Sequence, residues 1–294
     1  MERMLRNKKM ILLFIGPALL LYILILFLPI GTSIYYSLFK WDLLTPMKFI
    51  GLGNYIRMFT LDNVIPIALK NALVILLVSV TFQQVFGFIL AIIFTGKIRG
   101  RNFYKNVVFM PVVFSNVSIG LMWTFIYNPK IGIINTMLRA IGLDVLAKSW
   151  LLDPRFAIWA IAIVVLWQYT GFSMILYISA IQNIPPSIKE AAIIDGATPL
   201  KRIWFITLPL IKPIIKVNIV LATLGSLKFF DLIYIMTRGG PNHLTETLGL
   251  YIYKQAFKLF QYGFGSALSV VLLVICLILT TIIFKVFKTE DIEY

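Results

Sequence analysis

The chain has 294 residues, of which 60% are hydrophobic and 13% charged, with a formal net charge of +15. Its mean hydropathy is +0.92, whereas a soluble domain carries about 25% charged residues, so a soluble globular fold is excluded. The basic residues lie between apolar segments rather than on one polar stretch interleaved with aromatics, which excludes nucleic acid as a partner.

Apolar windows follow in chain order at residues 10–30, 72–95, 107–127, 157–180, 214–237 and 266–284. Twenty residues at about 1.5 Å rise make about 30 Å, the thickness of a bilayer's hydrocarbon, and a helix satisfies its own backbone hydrogen bonds there. The windows predict six transmembrane helices in one all-α integral membrane domain over residues 10–288, with residues 1–9 before it and a tail at 289–294. Arg3, Arg6, Lys8 and Lys9 precede the first window. That window lacks a small-residue cleavage site and reads as a retained helix, not a signal peptide.

The short connection 96–106 carries Lys97, Arg99, Arg101 and Lys105 and no acid. The positive-inside rule therefore predicts both termini and the connection 181–213 in the cytoplasm. The long connections 31–71, 128–156 and 238–265 then face outside, with Tyr35, Tyr36, Trp41, Trp123 and Tyr127 at their membrane edges. Within them, the stretch around Trp150, Asp153 and Pro154 reads as an amphipathic surface element, and Gly239-Gly240-Pro241 as a tight turn. His243 has no second ligand at metal spacing and is expected in a solvated loop; the single Cys276 offers neither a disulfide nor a metal pair.

The connection between the fourth and fifth windows is the most informative stretch. Pro185 and Pro186 stop the preceding helix, Ser187 and Glu190 have capping-box spacing, and Glu190-Ala191-Ala192 favours a helix that Gly196 ends. Thr198-Pro199 reads as the N-cap and first-turn proline of a second short helix. The loop 185–209 is thus expected to be two short helices bent at Gly196. Its apolar side either packs on the chain's own membrane helices or enters a groove on a soluble partner.

Glu190, Ala191, Ala192, Gly196, Ile206, Leu208 and Pro209 fit the pattern E-A-A, three residues, G, nine residues, I-x-L-P. This resembles the signature of ABC importer permeases, and Asp195-Gly196-Ala197 is similar to the carbohydrate-uptake branch. Phe230 to Tyr234, Thr237 to Pro241 and Thr245 to Leu248 resemble the fifth helix and following external loop of maltose and glycerol-phosphate type permeases. The likeness extends over essentially the whole chain, and Pro17–Pro29, Tyr251–Tyr253 and Ser266–Ser269 are compatible with it.

The resemblance implies a type I permease fold in a bacterial plasma membrane, one half of a pathway for a sugar, polyol or glycerol phosphate. It implies a homologous permease as heterodimer partner, two ATP-binding subunits, and an extracytoplasmic solute-binding protein. The loop would couple to the ATPase through Glu190, Ala191, Ala192, Asp195, Gly196, Ala197, Ile206, Leu208 and Pro209. Glu190 either pairs with a basic residue of that ATPase or serves only to cap its own helix. The sequence contains no G-x-x-x-x-G-K-[ST] phosphate loop. ATP and Mg would therefore be handled by the partner, with no cofactor on this chain.

Ionisable residues inside a span are expensive and default to functional candidates, here Lys216, Lys228 and Asp231. Lys216, close to Pro213, can snorkel to head groups. Lys228 and Asp231 lie one helical turn apart, so they either pair with each other or line a polar path. Sugars present apolar ring faces and hydroxyl rims, which suit aromatic platforms with a few polar groups. Asn116, Trp167, Gln168, Tyr169, Phe172, Asn218 and Phe229, with Lys228 and Asp231, meet that description as substrate-path candidates. The alternative reading is a secondary carrier driven by an ion gradient through Lys228 and Asp231, which leaves the loop signature without a role. A membrane scaffold or sensor would lack a soluble output domain.

Overall fold

The computed structural model describes residues 8–96 and 98–287. Arg3, Arg6, Lys97 and the tail 289–294 lie outside the described residues. The chain groups into two compact units, residues 1–62 with 252–274 and residues 63–251 with 275–294.

In the first unit, α1 (Lys8–Tyr22) passes through a π-helical turn, Ile23–Phe27, into α2 (Leu28–Tyr36). Pro29 falls near the start of α2, where its missing N–H costs little, so the helix runs past it instead of ending there. The apolar window Leu13–Tyr36 buries none of its residues within the chain. A helix that is apolar all round with nothing of its own to cover it is built for hydrocarbon. Two residues each in β1 (Phe39–Lys40) and β2 (Lys48–Phe49) pair antiparallel. Buried Asn54 at the start of α3 (Gly53–Thr60) secures that hairpin, its Nδ2 donating to Ser37 O at 2.7 Å and Phe39 O at 2.9 Å.

In the second unit, α4 (Val64–Val80) and α5 (Phe82–Thr95) form one apolar stretch that begins earlier than the expected 72. Lys70 and Asn71 interrupt hydropathy there but not the helix. Asn71 is buried, and its Nδ2 donates to Leu244 O at 2.9 Å and Glu246 O at 2.8 Å. The third window, expected as one helix over 107–127, is instead two: α6 (Arg101–Val113) and α7 (Asn116–Ile126), bent by 99°. Phe114 and Ser115 are extended, and the Ser115 side chain caps α7 by accepting from Val117 N–H. A Ser directly before an apolar run is an N-cap signal that averaged hydropathy hides. Next come α8 (Ile133–Ala140), and α9 (Ala157–Gln182), the central helix of this unit.

Helix α9 packs against α4, α5 and α6 through small and branched residues such as Ala160, Ile161, Ala162, Val164 and Met174. At Gly171 a β-carbon would stand 2.3 Å from Val108 O of α6, so only glycine admits this backbone approach. Close contact of this kind is how helices associate where lipid removes the hydrophobic driving force. Past the loop lie α10 (Pro186–Ile194), α11 (Pro199–Arg202), α12 (Lys212–Leu227), α13 (Asp231–Met236), α14 (Leu248–Tyr253) and α15 (Tyr262–Val286). Among the described residues five stretches are long and apolar enough to cross a membrane, and the bent pair α6–α7 makes a sixth if it is one crossing. Lys216 holds its ammonium 4.9 Å over the Phe284 ring.

Candidate functional site

The first functional region is the loop between α9 and α12. Pro185 is extended and α10 begins at Pro186, whose fixed φ and missing N–H suit the first helical position. Ser187 is therefore already inside the helix, and the expected Ser187–Glu190 capping box is not formed; α10 has no side-chain cap. At its other end Gly196 adopts φ +74°, while Gly196 N–H donates to Ile193 O at 3.0 Å and Ala197 N–H to Ala192 O at 2.9 Å. This is a Schellman ending, with the left-handed residue that glycine supplies. Thr198 caps α11 by accepting from Lys201 N–H, and Pro199 takes the first position, as the local sequence predicts.

One edge of this bent pair faces inward. Ala192 is buried, and Ile188 and Leu210 pack on a buried cluster that includes Ile181, Ile184 and Ile211. The rest turns outward. Glu190, Ala191, Asp195, Gly196 and Pro209 are exposed, as are Ile194 at 85% and Phe205 at 77%, while Ala197, Ile206 and Leu208 are half-buried. A β-carbon on Gly196 would meet nothing within 4 Å in this chain.

The second region is a cavity of about 390 Å³ lined from α4, α5, α6, α7, α9, α12 and α13. Its geometry follows from a break in the fifth window. Helix α12 ends at Leu227 and α13 starts at Asp231, with Phe229 and Phe230 between them outside helix. Thr247 Oγ1 donates to the freed Phe229 carbonyl at 2.7 Å, so the break is satisfied by a residue 18 positions away. Lys228 and Asp231 consequently do not share a helix face, and among the described residues no ion pair within 4.0 Å joins them. Asp231 Oδ2 instead accepts from Asn116 Nδ2 at 2.8 Å.

Asn116, the first residue of α7, is the centre of a polar relay. Its Oδ1 accepts from Gln168 Nε2 at 2.8 Å and, more weakly, from the Tyr169 hydroxyl at 3.5 Å. Of the sequence candidates, Asn116, Tyr169, Phe172, Asn218, Lys228, Phe229 and Asp231 all line the cavity. Gln168 is buried behind it, orienting Asn116. Trp167 is not part of it: it lines a separate apolar hollow with Met110, Phe114 and Met122, and meets Trp123 edge-on at 5.5 Å.

Ser79, Gln83 and Ser226 also line the cavity and were not anticipated. Gln83 Nε2 donates to Ser173 Oγ at 2.9 Å, and Ser173 Oγ to Asn218 Oδ1 at 3.3 Å. The available signal was the Gln83-Gln84 pair in an otherwise apolar run, since polar side chains at membrane depth are costly unless used. Asn218 Nδ2 is buried and has no hydrogen-bond partner among the described residues.

The loop after α13 is folded, and His243 is exposed in it, as expected. His243 Nδ1 lies 3.0 Å from Oε2 of Glu246, whose side chain is fully buried, and Thr245 and Thr247 are buried beside it. Asn71 closes this loop from α4 through the two carbonyl bonds given above, a contact beyond the reach of local patterning.

A family model described as the binding-protein-dependent transport system inner membrane component matches residues 83–289. The probable ABC transporter permease protein YurN of Bacillus subtilis is 39% identical over 291 residues, covering 98% of this chain and 99% of that protein. The trehalose/maltose transport system permease protein MalF of Thermococcus litoralis is 32% identical over 287 residues, covering 96% and 94%. In fold, a chain of a bacterial alginate ABC transporter, crystallised with a periplasmic protein carrying an alginate pentasaccharide, superposes with a TM-score of 0.83 at 23% identity over 98% of each chain.

Proposed function

The chain belongs to the inner-membrane components of binding-protein-dependent transport systems, and from that premise we propose that its central cavity passes a sugar, polyol or glycerol phosphate across the membrane. It is a multi-pass plasma-membrane permease subunit of an ABC importer, a transport component and not an enzyme. Such a subunit works with a solute-binding protein and an ATPase. The finer assembly we infer is a heterodimer with a second, similar permease, two ATPase copies that use ATP and Mg, and both termini of this chain in the cytoplasm.

The observation that carries the reading is the exposed bend of α10 and α11 joined, through its inward edge, to two cavity-lining helices. Ile188 and Leu210 pack on the buried cluster that includes Ile181 and Ile184 near the end of α9 and Ile211 before α12, and both helices line the cavity. When a partner ATPase closes on the outward face, including Glu190 and Gly196, the displacement passes along that packed edge to α9 and α12. Interiors at native density transmit such movement instead of absorbing it. Helix α12 then shifts the break at Lys228–Phe230, where Asp231 and the Asn116 relay form one wall.

Within the cavity, Tyr169, Phe172 and Phe229 supply flat apolar faces for a sugar ring, and Asn218 Nδ2, Lys228 and the Asn116–Asp231 pair supply directed polar groups. The similarity to a trehalose/maltose permease supports a carbohydrate cargo.

The test is co-purification from native membranes in mild detergent with mass spectrometry and ATPase assay, wild type against Glu190→Lys. We expect an ATPase and a second permease to be recovered, both the ATPase yield and its stimulation falling in the variant. A chain that purifies alone, with uptake that stops when the ion gradient collapses while ATP is held constant, would replace this reading with an ion-driven carrier.

A further inference from the structure

Helix α8 and its flanks, residues 128–156, are ordered yet take no part in the loop–cavity mechanism, and α8 is amphipathic in the inverse sense. On its wheel Asn135 and Arg139 share one side, and that side faces the chain. Asn135 is buried, its Nδ2 donating to Lys148 O at 2.8 Å and Pro129 O at 3.2 Å. Arg139 donates to Pro129 O at 2.9 Å and Lys130 O at 3.2 Å. The opposite stripe, Ile133, Met137 and Ile141, is exposed, with Met137 at 64% and Ile141 at 68%. A helix bathed in water presents the reverse arrangement.

Two further observations identify what covers the stripe. First, α8 is fastened to an aromatic cluster. Trp150 Nε1 donates to Asn135 Oδ1 at 2.8 Å, and the Trp150 ring lies 6.3 Å from Tyr127 and 6.1 Å from Phe156, with Trp123 5.2 Å beyond Tyr127. Trp and Tyr gather where hydrocarbon meets head groups, at the ends of spans such as α7 and α9. Second, the apolar surface is continuous in the chain with the exposed side of α7: Phe125, near its end, and Ile131, just before α8, are both exposed. Lys130, exposed at the N-terminal edge of α8, forms no ion pair among the described residues.

We propose that α8 is an interfacial helix lying at the membrane surface where α7 ends, with Ile133, Met137 and Ile141 in the acyl chains and Lys130 among the phosphates. Helices with such a face bind in the interface plane with strength that follows their buried apolar area and attraction to anionic lipid. Here the protein's own hydrogen bonds, from Asn135 and Arg139 to the flanking residues Pro129, Lys130 and Lys148, occupy the polar side.

The test uses Met137→Cys in a Cys276→Ala background, carrying an environment-sensitive fluorophore, with Ile141→Cys as the second site should the first fail to assemble. The full chain, with whatever subunits co-purify, is reconstituted in vesicles of phosphatidylethanolamine and phosphatidylglycerol. Expected are a blue-shifted emission, quenching by lipids bearing a nitroxide high on the acyl chain, and insensitivity to aqueous iodide. Quenching by iodide and not by the nitroxide lipid places the stripe in water and overturns the proposal. Shielding from both quenchers overturns it in favour of a protein partner seated on α8.

Discussion

The bend at Gly196 and the break at Lys228–Phe230 are both interruptions between helices, and they are held in opposite ways. The first is made from its own neighbours: Pro186 starts one helix, Gly196 ends it with two backbone bonds to residues three and five positions back, and Thr198-Pro199 starts the next. The second is held from a distance. Its freed carbonyl is met by Thr247, and its carboxylate by Asn116, 115 residues away. A locally determined turn keeps its shape while being moved, which suits a lever. A distantly held break changes when any of several helices shifts, which suits a gate.

The comparison can be broken experimentally, in order of the expected change in stability. Gly171→Leu drives a side chain into the α6 backbone at the gate's scaffold and is expected to cost at least about 3 kcal/mol, read as lost monodisperse protein and a lowered Tm in detergent. A variant as stable as wild type would show that α6 is free to retreat. Thr247→Val leaves the Phe229 carbonyl buried without its donor, an expected loss of about 1–3 kcal/mol accompanied by reduced uptake. If only stability falls and transport per folded molecule is unchanged, the break is structural and not a gate.

Gly196→Val meets no atom in this chain, so its cost is the left-handed backbone, about 1–2 kcal/mol. Its larger expected effect is on function, with ATPase stimulation by the loaded binding protein lost while the chain still inserts. Normal stimulation would remove Gly196 from the lever. Lys228→Met is expected to leave Tm nearly unchanged and to reduce uptake, because the ammonium is exposed to the cavity and forms no ion pair among the described residues; unaltered uptake kinetics would take it off the list of cargo contacts.

The smallest effect concerns a turn of the local kind outside the membrane spans. Asp42 accepts from Thr45 N–H at 2.8 Å, Thr45 Oγ1 at 2.7 Å and Leu44 N–H at 3.1 Å, and these bonds hold its carboxyl below the usual carboxylate value. With the folded pKa depressed, the stabilisation is complete above the ordinary carboxylate range and disappears as pH falls through the folded value. The protection factors of the Leu44 and Thr45 amides, corrected for intrinsic exchange, should fall on acidification in wild type, and Asp42→Asn should flatten that dependence.

Much of this was legible beforehand where the relevant forces act between near neighbours. Gly196 at a left-handed position and Thr198-Pro199 opening a helix follow from sterics and capping within a few residues. Ser187 shows the limit even there: the same spacing admits two helix starts, and Pro186 wins because its ring is already in helical φ. The cavity was found in part. Seven candidates converge because polar and aromatic residues at membrane depth are seldom without use. Trp167 is equally aromatic, but one position along α9 from Gln168 turns it toward a different hollow.

Composition and hydropathy by themselves determined that this chain is helical and lives in a bilayer, since the missing charge and the lack of water leave few backbones possible. The motif spacing determined the bend at Gly196, because a turn's geometry depends on the residues that form it. Only tertiary structure decided that the helix breaks between Lys228 and Asp231, that Asn116 links Gln168 to Asp231, and that Asn135 turns inward while Met137 faces out. Each of these depends on partners distant in sequence, whose hydrogen bonds outweigh the continuation of a regular helix or the usual placement of polar groups toward solvent.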